Sequence, residues 1–290
     1  MHESKHSLRL VHDAKDPRFQ NLRSLQTRHG RARSGLFLIE GIRHVARAIE
    51  ARAPIQSVFI EPSSLNNTFG QKLVERLQHS GVRCVRLTQR LYRELTLAAE
   101  PQGIVAVVHQ QWTPLDSVRT DSGGLWLAVE SVDSPGNLGT MMRTAEATGA
   151  AGLLVLGDGA DPYEPSAARA SMGALFALKL VRCSAWEFVE WARASSIAIV
   201  GSSPAGLLDF KSFHCRWPAV LVIGSEKRGL SEHLTQSCDF MVRIPMAGRG
   251  DSINAAVAAG VLLYELFDQR RATTRKRSDS SRASERPGPC

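Results

Sequence analysis

Residues 125–149, LWLAVESVDSPGNLGTMMRTAEATG, decide how the rest of the chain is read. Leu125 to Val129 is a short apolar run carrying Trp126, the pattern of a buried strand. Asp133, Ser134, Pro135, Gly136 and Asn137 break that run with turn chemistry. A helical pattern follows and stops at Gly149, a residue suited to the end of a helix. Strand, polar loop and helix in succession put Asn137 and Arg143 beside the C-terminal end of a strand, where open α/β sheets bind their ligands. On pattern alone a second reading stands equally open, in which Asn137 caps the helix and Arg143 is a solvated charge.

The same alternation continues on both sides. Downstream come GLLVLG, a loop rich in Asp, Gly and Pro over residues 157–165, a helix from Ser166 and a strand near residues 179–183. Helix AWEFVEWARA, strands IAIVGSS and AVLVIGSE, a short helix LSEHLTQSC, strand FMVRIPM and a last helix from about Ser252 to Arg271 complete the series. Repeated strand–helix units predict a mainly parallel, doubly wound α/β sheet over residues 125–271. Upstream, LFLIEG, IRHVARAIEARA, IQSVFIEP, TFGQKLVERLQHSG, VRCVRLT, QRLYRELTLAAE and GIVAVVHQ predict a small α/β domain within residues 1–110. Residues 16–35 are helical stretches dense in arginine, and residues 1–15 are polar and expected to be loose. Residues 111–124, with Pro114, Ser122, Gly123 and Gly124, read as a linker. Residues 272–290 have no periodicity and are expected to form a disordered basic tail.

Composition narrows the function classes. The chain has 290 residues, 43% of them hydrophobic, enough for real cores. No run approaches a membrane span and the polar N-terminus lacks a signal-peptide core, so the expected compartment is the cytoplasm, with no membrane partner. Five scattered cysteines without CxxC spacing, and nine histidines without ligand spacing, argue against a metal site or a disulfide framework. The net charge of +8 is uneven. Residues 1–110 carry 17 Lys and Arg against 9 Asp and Glu, residues 111–267 carry 12 against 16, and residues 268–290 carry 7 against 3. Basic ends around a mildly acidic middle suggest that the ends hold a polyanion while the middle does chemistry.

Three loops of the second domain share one design, leaving an apolar strand through small or polar residues into a helix. They are PGNLGTMMR at 135–143, IGSEKRGL at 223–230 and IPMAGRGDSINAAV at 244–257. Glycines there let a backbone approach a ligand closely. Neither GxGxxG after a strand nor GxxxxGK[ST] occurs, which disfavours dinucleotide and P-loop chemistry. Ser225 and Ser252 lack a nucleophile-elbow context and no histidine sits in these loops, so Ser225 reads as a turn or cap residue.

Those loops carry a resemblance. NLGTMMRTAEATGA is similar to the first motif of the SpoU (TrmH-like) RNA ribose methyltransferases of the knotted SPOUT superfamily. IGSEKRGLSE resembles the second motif, IPMAGRGDSINAAVAAGVLLYE the third, and ADPYEPSAARASMGALF the segment between the first two. FLIEGIRHVARAI with QGIVAVV resembles, more loosely, the L30e-like substrate-binding domain that often precedes this catalytic domain. The resemblance implies a trefoil knot, S-adenosylmethionine as cofactor, structured rRNA or tRNA as substrate, and a homodimer whose sites combine residues of both protomers. It implies that Gly224, Ile244 and Ile253 meet the cofactor through backbone groups, with the Ser202 to Gly206 loop nearby. It also implies a catalytic set of Asn137, Arg143, Glu226, Ser252 and Asn254. Ile253 stands where Leu is usual and Ala255-Ala256 where Val-Ser is usual, so a serine role at position 256 does not apply.

The implied reaction is in-line transfer of a methyl group to a ribose 2′-hydroxyl, which needs positioning and no metal. A guanidinium stays protonated and makes a poor general base, so Arg143 reads as a stabiliser of the developing alkoxide and a phosphate clamp. Glu226 would orient Arg143 or the hydroxyl, and Asn137 would fix geometry by hydrogen bonds. Two other readings compete: a SPOUT base methyltransferase, and an RNA-binding ribosome-assembly or resistance factor without turnover.

Overall fold

The computed structural model describes residues 9–120 and 124–284, with side chains to residue 273. The chain divides into two compact units, Met1–Gln111 with Asp161–Ala177, and Trp112–Ala160 with Leu178–Cys290.

The first unit runs β1 (Leu10–Val11), α1 (Pro17–Ser24), α2 (Arg28–Ser34), β2 (Leu36–Glu40), α3 (Ile42–Glu50), β3 (Ile55–Ile60), α4 (Thr68–His79), β4 (Arg83–Leu87), α5 (Gln89–Leu95) and β5 (Ile104–His109). Its sheet has the order β1-β4-β3-β5-β2, with β5 antiparallel to both neighbours and the other pairs parallel. Phe19 and Leu22 of α1 and Leu91 and Tyr92 of α5 pack with Phe59, Val85 and Val107 on one sheet face. Residues 1–15 were expected to be loose, yet Leu10–Val11 pair with Arg86 and Leu87 of β4. Val11 is buried in the core beside them; two residues are too short to make a readable alternation.

The second unit runs β6 (Leu125–Glu130), α6 (Pro135–Ala147) and β7 (Gly152–Leu156). The chain then passes through α7 (Pro165–Ala170), which belongs to the first unit. It returns for β8 (Lys179–Cys183), α8 (Ala185–Ala194), β9 (Ala198–Ser202), β10 (Leu208–Asp209), β11 (Ala219–Ile223), α9 (Glu232–Ser237), β12 (Phe240–Arg243) and α10 (Ala255–Ser284). Seven strands form one sheet in the order β10-β12-β9-β11-β6-β7-β8. Every pairing in it is parallel, as the sequence pattern predicts. β7 and β11 are buried along their whole length and β6 in all but its last residue, which is why they read as continuous apolar runs rather than alternations. Trp126 is the largest fully buried side chain and meets Trp191 of α8 edge to face at 6.4 Å.

Three boundaries differ from the sequence reading. Residues 111–124 were read as a linker, but the part before the undescribed residues 121–123 is docked on the second unit. Thr113 N–H donates to Leu180 O at 2.7 Å, the Trp112 ring lies 4.2 Å from the Arg182 guanidinium, and Val118 is buried in the core. Pro and Gly punctuate a chain without saying whether it packs. The last helix was expected to end at Arg271 with disorder beyond, yet its backbone stays helical to Ser284. Helical hydrogen bonds are local, and Arg, Lys and Ala sustain them without an apolar stripe; residues 285–290 of the expected tail lie outside the described residues. Asp161–Ala177 lies in the sequence of the catalytic domain but packs in the first unit. There Asp161 Oδ2 accepts from Arg31 Nε at 3.0 Å and Nη2 at 2.7 Å, and the Tyr163 ring packs tilted against Phe37 with centroids 4.6 Å apart.

Candidate active site

Loops after four parallel strands of the second unit supply the site. β6 and β11 are neighbours, with Val129 opposite Ile223. Their onward connections leave in opposite directions, β6 through α6 to β7 and β11 through α9 to β12. A crevice opens where adjacent parallel strands part in this way. The loops that follow these two strands carry the polar residues singled out from the sequence.

Asn137 lies in the first turn of α6. The N-cap is Ser134, whose hydroxyl accepts the Asn137 N–H at 3.3 Å. The reading of Asn137 as the cap is therefore corrected, and its side chain is free for other partners. Its Nδ2 donates to Glu226 Oε1 at 2.7 Å, and its Oδ1 accepts from Asn254 Nδ2 at 3.1 Å. Glu226 Oε2 accepts the Asp133 N–H at 3.0 Å. Asn254 in turn caps α10, its Oδ1 accepting from the N–H groups of Ala256 at 2.8 Å and Val257 at 3.3 Å. One directed chain, Asn254 to Asn137 to Glu226, thus ties all three sequence motifs together. Partial burial would raise the Glu226 pKa, but the bonds from Asn137 and the Asp133 amide outweigh it and hold the carboxyl below its ordinary value. Glu226 is ionised at neutral pH.

Helices α6 and α10 both begin at this network, and α10 lies along α6. Gly260 faces Thr144, and the Arg270 guanidinium donates to Thr148 O at 2.7 Å and Gly149 O at 3.1 Å, closing the C-terminal end of α6. Their N-terminal N–H groups add partial positive charge at the site.

A cavity of about 550 Å³ lies between the loops after β9, β11 and β12 and the start of α10. Ser202, Gly224, Glu226, Ile244, Ser252, Ile253 and Asn254 line it. Gly206 does not; its N–H donates to Ser203 O at 3.0 Å and it closes the loop turn instead. Arg143 is also apart from the cavity, exposed on α6 and without an ion pair or hydrogen bond among the described residues. Ser225 is buried, and its hydroxyl accepts the N–H groups of Lys227 and Arg228, which makes it a turn residue as its context suggests. Ser203 and Pro204, inside the loop expected near the cofactor, and Lys227, Arg228 and Met246, inside the second and third motifs, also line the cavity, although none of them was given a role of its own from the sequence. Among the described residues no His, Cys, Asp and Glu cluster could hold a metal ion, and no helix is long and apolar enough to cross a membrane.

Gly224 is where a side chain cannot fit. A Cβ there would stand 2.2–2.4 Å from the Gly229 carbonyl and the Leu230 nitrogen, all backbone atoms. Gly224→Ala is expected to push this loop out of place and weaken cofactor binding roughly tenfold or more, the scale of a 1–3 kcal/mol overpacking. Gly248→Ala meets nothing within 4 Å and should bind normally. Calorimetry on the two variants checks this; equal affinities would contradict it.

Comparison with known proteins places this geometry. Residues 124–264 match the SpoU rRNA Methylase family, and residues 16–106 match the MRM3-like substrate binding domain. The chain is 36% identical over 270 residues to a 23S rRNA (uridine(2479)-2′-O)-methyltransferase of Streptomyces viridochromogenes, covering 89% of this chain and 91% of that one. It is 27% identical to the 23S rRNA (guanosine(2553)-2′-O)-methyltransferase RlmP of Bacillus subtilis, over 89% and 99% of the two chains. Among solved structures, the AdoMet-bound rRNA methyltransferase of Sinorhizobium meliloti superposes with a TM-score of 0.80 at 29% identity, covering 89% of this chain and 97% of that one. The SpoU methyltransferase AviRb of S. viridochromogenes in complex with AdoMet superposes with a TM-score of 0.79 at 35% identity, covering 88% and 98%. With its three motifs joined by one hydrogen-bonded network at the end of a parallel sheet, this chain belongs to the SpoU rRNA methylase family.

Proposed function

We propose that the chain is an S-adenosylmethionine-dependent methyltransferase that modifies a ribose 2′-hydroxyl of ribosomal RNA, acting in the cytoplasm as a homodimer. The observation that carries this reading is the Asn254–Asn137–Glu226 chain beside a ligand-sized cavity. The cavity lies within the roughly 300–1,000 Å³ usual for small-molecule sites. Ile223, Ile244, Met246 and Ile253 offer apolar walls for an adenine ring, and Ser202 and Ser252 offer hydroxyls. Gly224, with backbone packed behind it, leaves main-chain groups as the contact surface, so the residues fit S-adenosylmethionine. When bound, the cofactor supplies an electrophilic methyl group on a sulfonium.

The chain's own residues then position and stabilise. Gly224, Ile244 and Ile253 hold the cofactor by backbone groups, with the loop that starts at Ser202 beside it. Asn137, oriented by Asn254, fixes Glu226, and Glu226 orients the ribose hydroxyl or the arginine that faces it. Ser252 contacts the reacting nucleotide from the third loop. Arg143 stabilises the negative charge that develops on the ribose oxygen. It does not reach its own cavity, so we assign it to the partner's site.

An apolar stripe supports the dimer. Val257 and Tyr264, seven residues apart on α10, are 55% and 51% exposed, while Ala256, Ala259 and Leu263 of the same helix are buried. Light scattering should give about twice the 31.7 kDa chain mass, and an active monomer would contradict the assignment. The trefoil knot, formed as the chain beyond β12 threads back toward α6, belongs to the same proposal.

Incubation with S-adenosylmethionine labelled in the methyl group and protein-free 23S rRNA tests the reaction. Label should pass to the RNA. Binding of both partners without transfer would instead identify an RNA-binding factor.

A further inference from the structure

The first unit holds a second cavity, of about 470 Å³, between α1, the end of α2 and the sheet face of β3, β4 and β5. Its floor is apolar and buried, with Leu22, Leu25, Phe59, Val85 and Val107. Its rim is basic. Of three arginines there, Arg18 is held by Asp16, whereas Arg33 and Arg83 are exposed and form no ion pair or hydrogen bond among the described residues. Ser57 lines the same space from β3. The residue is 8% exposed, and its hydroxyl makes no hydrogen bond among the described residues and is reached by solvent.

These observations converge on one kind of ligand. A hydroxyl that opens on the cavity without a protein partner can donate to and accept from a ligand there. Two guanidinium groups without counter-charges call for an anion. An apolar floor beside them calls for a flat face. A nucleotide out of its stack has all three: a ring face, a hydrogen-bonding base edge and a phosphate. We propose that this cavity receives an unstacked nucleotide of the RNA substrate, its base over Phe59 and Val85, its edge on the Ser57 hydroxyl, and its phosphate between Arg33 and Arg83. The site lies in a different unit from the methyl-transfer residues. It would select RNAs that offer an extruded nucleotide in addition to the modified ribose. The proposal rests on the reading that RNA is the substrate.

The test compares full-length variants on protein-free 23S rRNA. Ser57→Val removes the hydroxyl and narrows the cavity without changing charge, and Leu36→Phe narrows it from the half-exposed rim should the strand variant fold poorly. Arg33→Ala/Arg83→Ala removes the anion clamp, and Arg93→Ala removes an exposed arginine that does not line the cavity. The narrowed and clamp-less variants should weaken RNA binding, and raise KM for RNA, about tenfold or more. Their kcat at saturating RNA and their cofactor affinity should stay within about twofold, and Arg93→Ala should behave as wild type. Wild-type RNA affinity in the folded cavity variants, or an equal loss in Arg93→Ala, would overturn the proposal. Wild-type protein that binds RNA but transfers no methyl group would refute the proposed reaction, while the same binding comparison still decides the cavity.

Discussion

Arg143→Lys is expected to lower methyl transfer by about a hundredfold or more, the scale of losing one preorganised donor to a developing oxyanion, while leaving cofactor affinity unchanged. Lysine keeps the charge but loses the planar fork, so it cannot hold two oxygens at once. Arg143 is exposed and makes no ion pair or hydrogen bond among the described residues, so folding should change by only about half a kcal/mol or less. The drop would therefore appear in turnover and not in a thermal melt. Assignment of Arg143 to the partner's site makes a sharper claim. Mixed dimers of Arg143→Lys and Gly224→Ala protomers should recover activity, because the intact cofactor loop of one protomer meets the intact arginine of the other. If Arg143 served its own site, mixing would restore nothing. Near-wild-type single-turnover rates in folded Arg143→Lys would remove the residue from the mechanism.

Asp161→Ala is expected to destabilise the first unit by roughly 3–5 kcal/mol, the usual loss when one partner of a buried ion pair is removed. Arg31 is 2% exposed and keeps only the carbonyls of Leu25 and Gln26, each at 3.0 Å, once Asp161 is gone. Asp161 also accepts the Tyr163 N–H at 3.0 Å, so the turn that leads into α7 loosens as well. The first thermal transition should fall by roughly 10 °C. Replacing both partners with leucine should recover much of that loss, because no uncompensated charge then remains buried. A melt of Asp161→Ala within a degree of wild type would show that the pair contributes little.

Much of the second unit was legible because its signals are local. Leu125 to Val129, residues 152–156 and residues 219–223 are unbroken apolar runs, and only strands covered on both faces read that way. The strand–loop–helix pattern pointed to Asn137, and the resemblance of the three loops to the SpoU motifs added Glu226 and Asn254 before their hydrogen bonds were known. The features that escaped are tertiary. Nothing in DPYEPSAARA says that Asp161 would answer Arg31, 130 positions earlier in the chain. The docking of Thr113 on Leu180 depends on an edge that exists only after β8 has joined the sheet. β1 and β10, two residues each, are too short to show an alternation. Ser134 rather than Asn137 caps α6, and both residue types suit that position, so geometry had to decide. The distance of Arg143 from the cavity could not be read from a motif that lists it beside Asn137.

In the proposed reaction the methyl group lands on a ribose oxygen. Alkaline hydrolysis of enzyme-treated, methyl-labelled 23S rRNA, followed by mass spectrometry of the products, tests it most directly. Alkali cleaves RNA by attack of a free 2′-hydroxyl on the adjacent phosphate, so a 2′-O-methylated position resists. Label is expected in an alkali-resistant dinucleotide whose methyl group fragments with the sugar. Label released as a mononucleotide with the methyl group on the base would contradict it.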